Sequence, residues 1–408
     1  MVVHLGTGAG QDLDLADPAF WRRPPEQRLD AFRRLRGLDA PVYFGEVGSG
    51  FHALVRHRDV VAASRTPEIF LSGPGVTTPR PPRWVRVAFG DSMVNLDDPR
   101  HARLRGVVAR AFTPRVVARI AEDVTRVATS IVDDVSARRP ADFVEAVAGR
   151  LPFEVICTMM GIPEEYRREV LDQVDHTTEH TGVRRRLRVP GKGLRALGRL
   201  HRVVGRVARE RRREPVDDLI SSLATADVDG KRLNSRELGS FFSLLLVAGV
   251  ETTRNAIAHG LHLLTVNPAQ RDLLTSDFDR YTGGFVEEVV RYASPIIQFR
   301  RTLARDYELS GHPLRAGDDV VLCYPSANRD ETVFAEPDAF DITRRPNPHV
   351  GFGGGGPHFC LGTSLARQEM TVLFRELLTR LPEIRSVGEP ELVPSSFDNR
   401  VARLRFTF

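Results

Sequence analysis

The segment that most constrains the fold is a long helix predicted from residue 235 to residue 266. Asn234 can cap its first turn, and Glu237 lies three residues later, where a capping box requires an acidic side chain or glutamine. The pattern ends at Asn267-Pro268, a typical helix stop. The middle, 240-SFFSLLLVAGVETTRNAIAHGLHLLTV-266, is apolar nearly all round. We therefore expect it to run through the core of a mainly helical protein.

The middle of this helix also contains residues that a helix core usually avoids. Gly249 costs about 1 kcal/mol in a helix interior, and a buried carboxylate such as Glu251 costs more unless it is paired or hydrated. One interpretation makes Gly249 a packing notch and gives Glu251 solvent or an internal hydrogen bond. The other is a local weakening of the helix beside a reacting ligand. This segment alone leaves both open.

Short strand-like runs occur near the start of the chain and again late. They are 41-PVYFGEV-47, 51-FHALVRH-57, 299-FRRTLARDYELSG-311 and 319-DVVLCYP-325. They predict small β-sheets, while the intervening sequence is mostly amphipathic helix. The Pro- and Gly-rich segment 71–84 predicts a long lid or binding loop. No repeat or clear linker interrupts residues 1–408, so we expect a single, mainly α (α+β) domain.

Composition predicts a globular protein of the cytoplasm. Apolar residues make up 41% of the chain and charged residues 27%, and no apolar run approaches the roughly 18 residues that cross a bilayer. The N-terminus lacks the features of a signal peptide. Cys157, Cys323 and Cys360 are too few and too scattered for a disulfide framework, which indicates a reducing compartment.

The net charge of +5 does not by itself indicate a nucleic-acid partner. The arginine-rich runs 184–188 and 206–214 lack aromatic stacking residues, and acidic residues interrupt the second. We interpret both as solvated helix faces and predict neither nucleic-acid binding nor a membrane anchor.

The stretch 351-GFGGGGPHFCLG-362 holds six of the 33 glycines and one of the three cysteines. Gly351, Gly353 and Gly356 satisfy G-x-G-x-x-G, the pattern of dinucleotide-binding loops. That function requires a preceding strand in a βαβ unit, and 343-TRRPNPHV-350, with two prolines, is a poor strand. The phosphate-binding interpretation is therefore weak.

The alternative is that the glycines serve Cys360. An amphipathic helix is predicted over 361–381, so the cysteine lies near a helix N-terminus, which favours a thiolate. Glycines allow close backbone approach to the sulfur. One cysteine does not suit a tetrahedral zinc site but suits a single axial bond to a haem iron. A nucleophilic cysteine with His358 as its base is the rival interpretation.

With these motifs together, the sequence resembles the cytochrome P450 family of haem-thiolate monooxygenases. The segment 352-FGGGGPHFCLG-362 resembles the family's haem-binding signature, and 248-AGVETT-253 resembles its oxygen-activation motif. Glu288 and Arg291 match the family's E-x-x-R pair, and 97-DDPRHARLR-105 resembles the helix that holds a haem propionate. The four occur in the family's order and imply the cytochrome P450 fold.

Two departures stand out. Phe352 and Cys360 are eight positions apart where the commonest pattern has seven, and Ala339 stands where the family often has an arginine before a Phe such as Phe340. The second departure puts the third partner of the Glu288–Arg291 pair in doubt. The longer loop is most similar to an actinobacterial branch that oxidises sterols and methyl-branched lipids.

The resemblance implies a set of residues for haem b. Cys360 would be the axial ligand to the iron, Phe352 would pack against the haem, and Gly249 would let the core helix open for dioxygen. Haem propionates are anions that need arginine and histidine donors. Matching positions are occupied by His101, Arg105, Arg301 and His358; spacing from Pro295 favours Arg301 over Arg300.

For the reaction, the resemblance implies that Thr252 and Glu251 deliver protons. A hydroxyl can donate a proton and be resupplied, and a nearby carboxylate can pass protons from solvent. The substrate contacts implied by family topology are mostly apolar, as a hydrophobic ligand requires, although core packing explains each equally well. They are Met93, Val94, Leu246, Val247, Val250, Ile296, Ile297, Phe299 and Phe397.

The expected activity is hydroxylation of an unactivated C–H bond in a sterol, terpenoid or methyl-branched lipid. Electrons would come from NAD(P)H through ferredoxin reductase and ferredoxin, since 408 residues leave no room for a fused reductase. Two rivals remain: a tailoring enzyme of natural-product biosynthesis, and, more remotely, a haem sensor or electron carrier.

Overall fold

A computed structural model describes residues 13–46, 49–80, 92–109, 114–168, 170, 191–216, 218–228 and 231–408. The chain divides into two compact units. Unit I comprises Met1–Arg80, Val266–Cys360 and Val393–Arg400; unit II comprises Pro81–Thr265, Leu361–Leu392 and Val401–Phe408. That residues 1–408 form a single domain stays a prediction.

Helices account for most of the described secondary structure, as expected. The α-helices are α1 (Pro25–Arg36), α2 (His57–Arg65), α3 (Arg100–Ala109), α4 (Pro114–Arg138), α5 (Arg150–Met160), α6 (Gly191–Arg213), α7 (Leu219–Thr225), α8 (Ser235–Leu246), α9 (Thr252–Val266), α10 (Pro268–Ser276), α11 (Phe278–Ala293), α12 (Tyr324–Ala327) and α13 (Thr363–Arg380). Short 3-10 turns cover Phe20–Arg22 and Met93–Asn95, and π-helical turns cover Val144–Ala148 and Val247–Glu251.

The strands are short and fall into one larger and several two-stranded sheets. They are β1 (Val42–Phe44), β2 (Phe51–Leu54), β3 (Phe70–Leu71), β4 (Asp227–Val228), β5 (Lys231–Arg232), β6 (Gln298–Leu303), β7 (Tyr307–Leu309), β8 (His312–Leu314), β9 (Asp319–Cys323), β10 (Arg385–Ser386), β11 (Glu391–Leu392), β12 (Val401–Arg403) and β13 (Phe406–Thr407).

Unit I is organised on a five-stranded sheet with the order β1-β2-β9-β6-β3. Each of the four predicted strand-like runs contributes a strand to this sheet, whereas β7, at the end of the run 299–311, pairs with β8 in a separate two-stranded sheet. β9 runs parallel to β2 and antiparallel to β6. All five residues of β9 are buried, which places this strand at the centre of the unit's core, where each large apolar side chain contributes about 1.5–3 kcal/mol.

Unit II is mainly helical, with α13 packed on α4, and α8 packed on α6. The predicted capping box at the start of α8 is confirmed: the Asn234 side chain accepts from the Glu237 amide at 3.1 Å, and Glu237 accepts from the Asn234 amide at 2.9 Å. The predicted end of the helix is confirmed at Val266.

Two predicted segments can be checked only in part. Residues 72–80 of the predicted long loop contain no helix or strand, and the remainder of that loop lies outside the described residues. The arginine-rich run 184–188 also lies outside them. The second run lies on α6, where Val207 and Ala208 are buried and Arg206 and Arg209 are exposed, as a solvated helix face requires. Along the described part of the chain, no helix is both long and apolar enough to cross a membrane.

Candidate active site

The predicted core helix changes its hydrogen-bonding pattern in the middle. It is α-helical to Leu246, π-helical over Val247–Glu251, and α-helical again from Thr252. Single π-turns inside α-helices are frequent at functional sites. Gly249 and Glu251, the residues that a helix core usually avoids, therefore lie in the segment where the helix changes from α to π.

Gly249 is also a packing notch, so the two interpretations of this residue are compatible. A Cβ atom at Gly249 would lie 3.1 Å from two side-chain carbons of Ile156 on α5. That distance is too short for an ordinary contact, so glycine lets α5 approach the π-turn closely.

Glu251 and Thr252, the predicted proton-delivery residues, face different surroundings. The Glu251 side chain is 4% exposed, and Oε1 accepts from Arg254 NH1 at 3.3 Å. The Thr252 hydroxyl is half-buried and donates to the Ala248 carbonyl at 2.6 Å. Val247 and Ala248 are exposed although they lie midway along the helix. The hydroxyl of Thr252 therefore lies beside the exposed part of the turn.

The predicted substrate residues of unit II differ in exposure. Leu246 and Val250 are 1% and 3% exposed, as in ordinary core packing, whereas Val247 is 39% exposed. Met93 and Val94 lie in the 3-10 turn that contacts α8. Of this group, Val247 has the accessibility that a substrate contact needs.

His101 and Arg105 lie on α3, as predicted. His101 is 1% exposed, and its Nδ1 is 3.5 Å from Asp98 Oδ1. Burial lowers the pKa of His101, and the positive charge of Arg105 lowers it further, although Asp98 opposes the shift. The two residues are thus close enough to interact electrostatically, which a shared anionic ligand requires.

In unit I, the glycine run packs directly on the end of α2. A Cβ at Gly354 would lie 2.6 Å from Ser64 Oγ, and one at Gly356 would lie 2.1 Å from the Ser64 carbonyl. Arg65 Nε donates to the Gly354 carbonyl at 3.2 Å. Gly353, Gly355 and Gly356 also have positive φ angles of 102°, 92° and 74°, which favour glycine.

This packing explains the glycines without a phosphate. Residues 343–350, all described, contain no strand, so the context for dinucleotide binding is missing, as the sequence suggested. Cys360 lies at the end of the loop, and its amide donates to the Phe352 carbonyl at 2.9 Å. Helix α13 begins three residues later, at Thr363.

Cys360 differs from the other two cysteines in its accessibility. It is exposed, whereas Cys157 and Cys323 are buried, and burial raises the pKa of each of those thiols to about 12. Since a metal ligand must be a thiolate, Cys360 is the cysteine suited to bind one.

The preference for Arg301 over Arg300 is consistent with the contacts in the sheet. Arg300 donates to Asp319, and Arg80 donates to the same carboxylate. Arg301 lies on the opposite face of β6, with its guanidinium 6.0 Å from the Phe299 ring centre.

The other predicted propionate donor of unit I is His358. Its Nε2 lies 3.1 Å from the hydroxyl of the buried Ser72.

The predicted substrate residues of unit I divide between two clusters, with Ile297 in one and Ile296 and Phe299 packed against the other. The rings of Phe299 and Phe397 are 5.7 Å apart, and the Ile297 amide donates to the Phe397 carbonyl at 2.8 Å. Ile296 pairs with Asp398 through an isolated bridge. Ile297 is 2% exposed and so packs in the core, whereas Phe299 is half-buried.

The Glu288–Arg291 pair has a third charged partner that sequence reasoning missed. Arg291 donates to both Glu288 oxygens at 2.8 and 2.7 Å, and both side chains are fully buried. Arg344 Nε donates to Glu288 Oε1 at 3.3 Å, and Asn347 donates to Oε2 at 3.0 Å. Arg344 thus supplies the cation that Ala339 cannot.

A second residue missed from the sequence is Glu369 on α13. Burial raises the pKa of Glu369 to about 8, although a hydrogen bond from the Thr253 hydroxyl opposes the shift. A signal was present: Glu369 lies four residues after Leu365 and four before Leu373, on the helix's apolar stripe.

Comparisons with known proteins agree with this fold. A family model described as "Cytochrome P450" matches residues 195–382. A methyl-branched lipid omega-hydroxylase of Mycobacterium tuberculosis (strain ATCC 25618 / H37Rv) is 44% identical, over 97% of this chain and 95% of its own. A steroid C26-monooxygenase of Rhodococcus jostii is 34% identical, over 98% and 85%.

A solved structure shows the same fold. Mycobacterium marinum cytochrome P450 CYP268A2, in complex with pseudoionone, is 42% identical and superposes with a TM-score of 0.91 over 97% of this chain and 98% of that one. The chain therefore belongs to the cytochrome P450 family. It is a monooxygenase, in a family whose members generally carry a haem group.

Proposed function

We propose that this protein is a haem-thiolate hydroxylase that inserts one oxygen atom into an unactivated C–H bond of a methyl-branched lipid, terpenoid or sterol. The observation that carries the substrate class is the 44% identity, along 97% of the chain, to a relative named for hydroxylating methyl-branched lipids. The steroid monooxygenase at 34% identity supports the wider class of branched, hydrophobic substrates.

The described residues fit haem b. Cys360 is the accessible thiol and would bind the iron as a thiolate, while Phe352, half-buried at the start of the loop, would pack against the group. By the family resemblance, His101 and Arg105 would be donors for the propionates, and so would Arg301 and His358. Haem with a thiolate ligand supplies the dioxygen activation that no protein side chain provides.

Thr252 and Glu251 would move the protons. The overall reaction consumes the substrate, dioxygen, two electrons and two protons, and yields an alcohol and water. The Thr252 hydroxyl donates to the Ala248 carbonyl beside the exposed Val247–Ala248 turn, and it would give up that bond to donate a proton in the reaction. Glu251, whose Oε1 accepts from Arg254 at 3.3 Å, would take up a proton and resupply that hydroxyl.

The apolar residues would bind and orient the substrate. Phe299 in unit I and Val247 in unit II have the accessibility for direct contact, whereas Ile297, Leu246 and Val250 are buried within the cores of their units. Such a mostly apolar lining suits a hydrocarbon chain and would exclude water from the reacting carbon.

Electrons would come from NAD(P)H through a ferredoxin reductase and a ferredoxin. Arg65, packed beside the glycine run, adds positive charge near Cys360, and basic surfaces steer acidic partners. A ferredoxin with an acidic face is the expected donor, in the reducing compartment that the isolated cysteines indicate.

A ligand screen by Soret absorption tests the substrate class. Methyl-branched fatty acids, sterols, pseudoionone and polyketides would be titrated into the purified, haem-loaded protein. We expect saturable Soret shifts with the branched lipids, and an alcohol that contains one oxygen atom from labelled dioxygen. Shifts and products with polyketides alone would favour the tailoring enzyme, and dioxygen-independent behaviour would favour a carrier or sensor.

A further inference from the structure

His349 lies between helix α11 and the start of the glycine run, where two polar groups contact opposite sides of its ring. His349 Nε2 is 3.0 Å from Glu287 Oε2, and the Gly351 amide donates to Nδ1 at 3.1 Å. The His349 side chain is 4% exposed and that of Glu287 is 27% exposed, so the ring is buried while the carboxylate reaches solvent. None of the roles assigned above uses this histidine.

These contacts define which nitrogen carries the proton. A backbone amide can only donate, so Nδ1 must be the unprotonated acceptor. The proton then resides on Nε2, which donates to the Glu287 carboxylate. Glu287 therefore selects the tautomer that Gly351 needs, as a carboxylate does for other oriented histidines.

The Gly351 amide adjoins the part of the loop that leads to Cys360. The next residue, Phe352, has its ring centre 5.8 Å from that of His349, and its carbonyl accepts the Cys360 amide at 2.9 Å. Gly351 has no room to shift toward α11, because a Cβ there would lie 2.6 Å from Val290. A displaced Gly351 would thus move the peptide that holds Cys360.

We propose that His349 is a positioning residue for Cys360: oriented by Glu287, its ring holds the Gly351 amide and so fixes the Phe352 carbonyl that anchors the cysteine. The hydrogen-bonded arrangement stands on the contacts alone, whereas its consequence for the haem thiolate rests on the proposed function.

Two substitutions separate the two ring nitrogens. In His349→Asn, the side-chain oxygen can replace Nδ1 and still accept the Gly351 amide, but contact with Glu287 is lost. In His349→Gln, the side-chain amide can replace Nε2 and still donate to Glu287, but Gly351 loses its acceptor. Glu287→Gln is a milder companion, because its amide oxygen can still accept from Nε2.

The first readout is hydrogen exchange of residues 349–360 in the purified holoenzyme, and the second is the carbon-monoxide difference spectrum, which reports thiolate ligation. We expect exchange about threefold to tenfold faster in His349→Gln, the effect of one lost hydrogen bond, with a larger thiol-ligated fraction. His349→Asn and Glu287→Gln should remain near the wild type in both.

Equal exchange in the Asn and Gln variants would overturn the proposal and reduce the ring to packing. Faster exchange in His349→Gln with an unchanged spectrum would overturn the link to Cys360. A wild-type protein that takes up no haem would contradict the proposed function instead, and the exchange comparison would still test the contact between His349 and Gly351.

Discussion

Two carboxylate–arginine pairs with the same spacing behave differently in the two units. Glu288 and Arg291 on α11 are fully buried and joined by two hydrogen bonds of 2.7 and 2.8 Å. Glu251 and Arg254 are joined by one contact at 3.3 Å, and Arg254 is 18% exposed. Three-residue spacing places both pairs on one helix face, but it does not determine how firmly each pair is held.

The surroundings account for the difference. Arg344, Asn347 and the Asp341 amide also donate to Glu288, so its carboxylate is saturated and fixed. Glu251 accepts from Arg254, a neighbour on the same helix, at the longer distance of 3.3 Å, and it lies at the end of a π-turn. A saturated, fully buried pair suits a structural role, whereas a carboxylate whose arginine partner is partly exposed suits proton transfer.

The largest effect is expected when the saturated pair loses its negative charge. Glu288→Gln leaves the guanidinium groups of Arg291 and Arg344 buried without a counter-charge, which should cost about 3–5 kcal/mol of stability. Glu251→Gln, the matched change in the other pair, should cost less, about 1.5–3 kcal/mol, because the Arg254 guanidinium is 18% exposed and can be hydrated. Urea unfolding followed by circular dichroism measures both, and equal losses would remove the distinction between the pairs.

The next largest loss of stability is expected at Arg344, the third charged partner of the Glu288–Arg291 pair. Arg344→Ala removes a hydrogen bond to a charged, buried carboxylate and should cost about 1.5–3 kcal/mol. Arg344→Lys, which keeps the charge but not the planar donors, should fall between this variant and the wild type in the same unfolding assay. Wild-type stability in Arg344→Ala would show that Arg291 alone satisfies Glu288.

A pH-dependent effect on stability is expected at Glu369, which accepts a hydrogen bond from Thr253, a neighbour in sequence of Arg254. The pKa of Glu369 is raised from 4.5 to about 8 by burial, so the folded protein keeps a proton that the unfolded chain releases. Its stabilising contribution is full below pH 4.5, falls by about 1.4 kcal/mol per pH unit as pH rises, and is lost above pH 8. Glu369→Gln should therefore gain stability relative to the wild type between pH 5 and 8. A constant difference across that range would contradict the raised pKa.

The smallest effect on stability, and the most specific effect on function, is expected at Thr252. Thr252→Ala removes a half-buried hydroxyl and should change stability by no more than about 0.5 kcal/mol. Haem and substrate binding should persist, while electrons are diverted from product to hydrogen peroxide. Parallel assays of NAD(P)H, product and peroxide measure this, with Thr252→Ser as the control that keeps the hydroxyl. Unchanged coupling in the alanine variant would remove Thr252 from proton delivery.

How far the sequence predicts the molecule depends on the range of the interactions. The capping box at Asn234 and Glu237 involves neighbours and was predicted correctly, and Gly249 and Glu251 marked the π-turn as an anomaly. The packing of Gly356 on Ser64, by contrast, joins segments far apart in sequence, and no local pattern contains it. The same holds for Arg344, whose role in place of Ala339 depends on how the chain before the cysteine loop folds back on α11.

The most direct test of the haem-thiolate assignment is the carbon-monoxide difference spectrum of three variants, each of which replaces one of the three cysteines. Cys157→Ala and Cys323→Ala remove thiols from the core and should keep the wild-type spectrum of thiolate-ligated haem. Cys360→Ser should lose it, even where haem is retained. A thiolate spectrum in Cys360→Ser, or its absence from the haem-supplemented wild type, would contradict the assignment of Cys360 as the axial ligand.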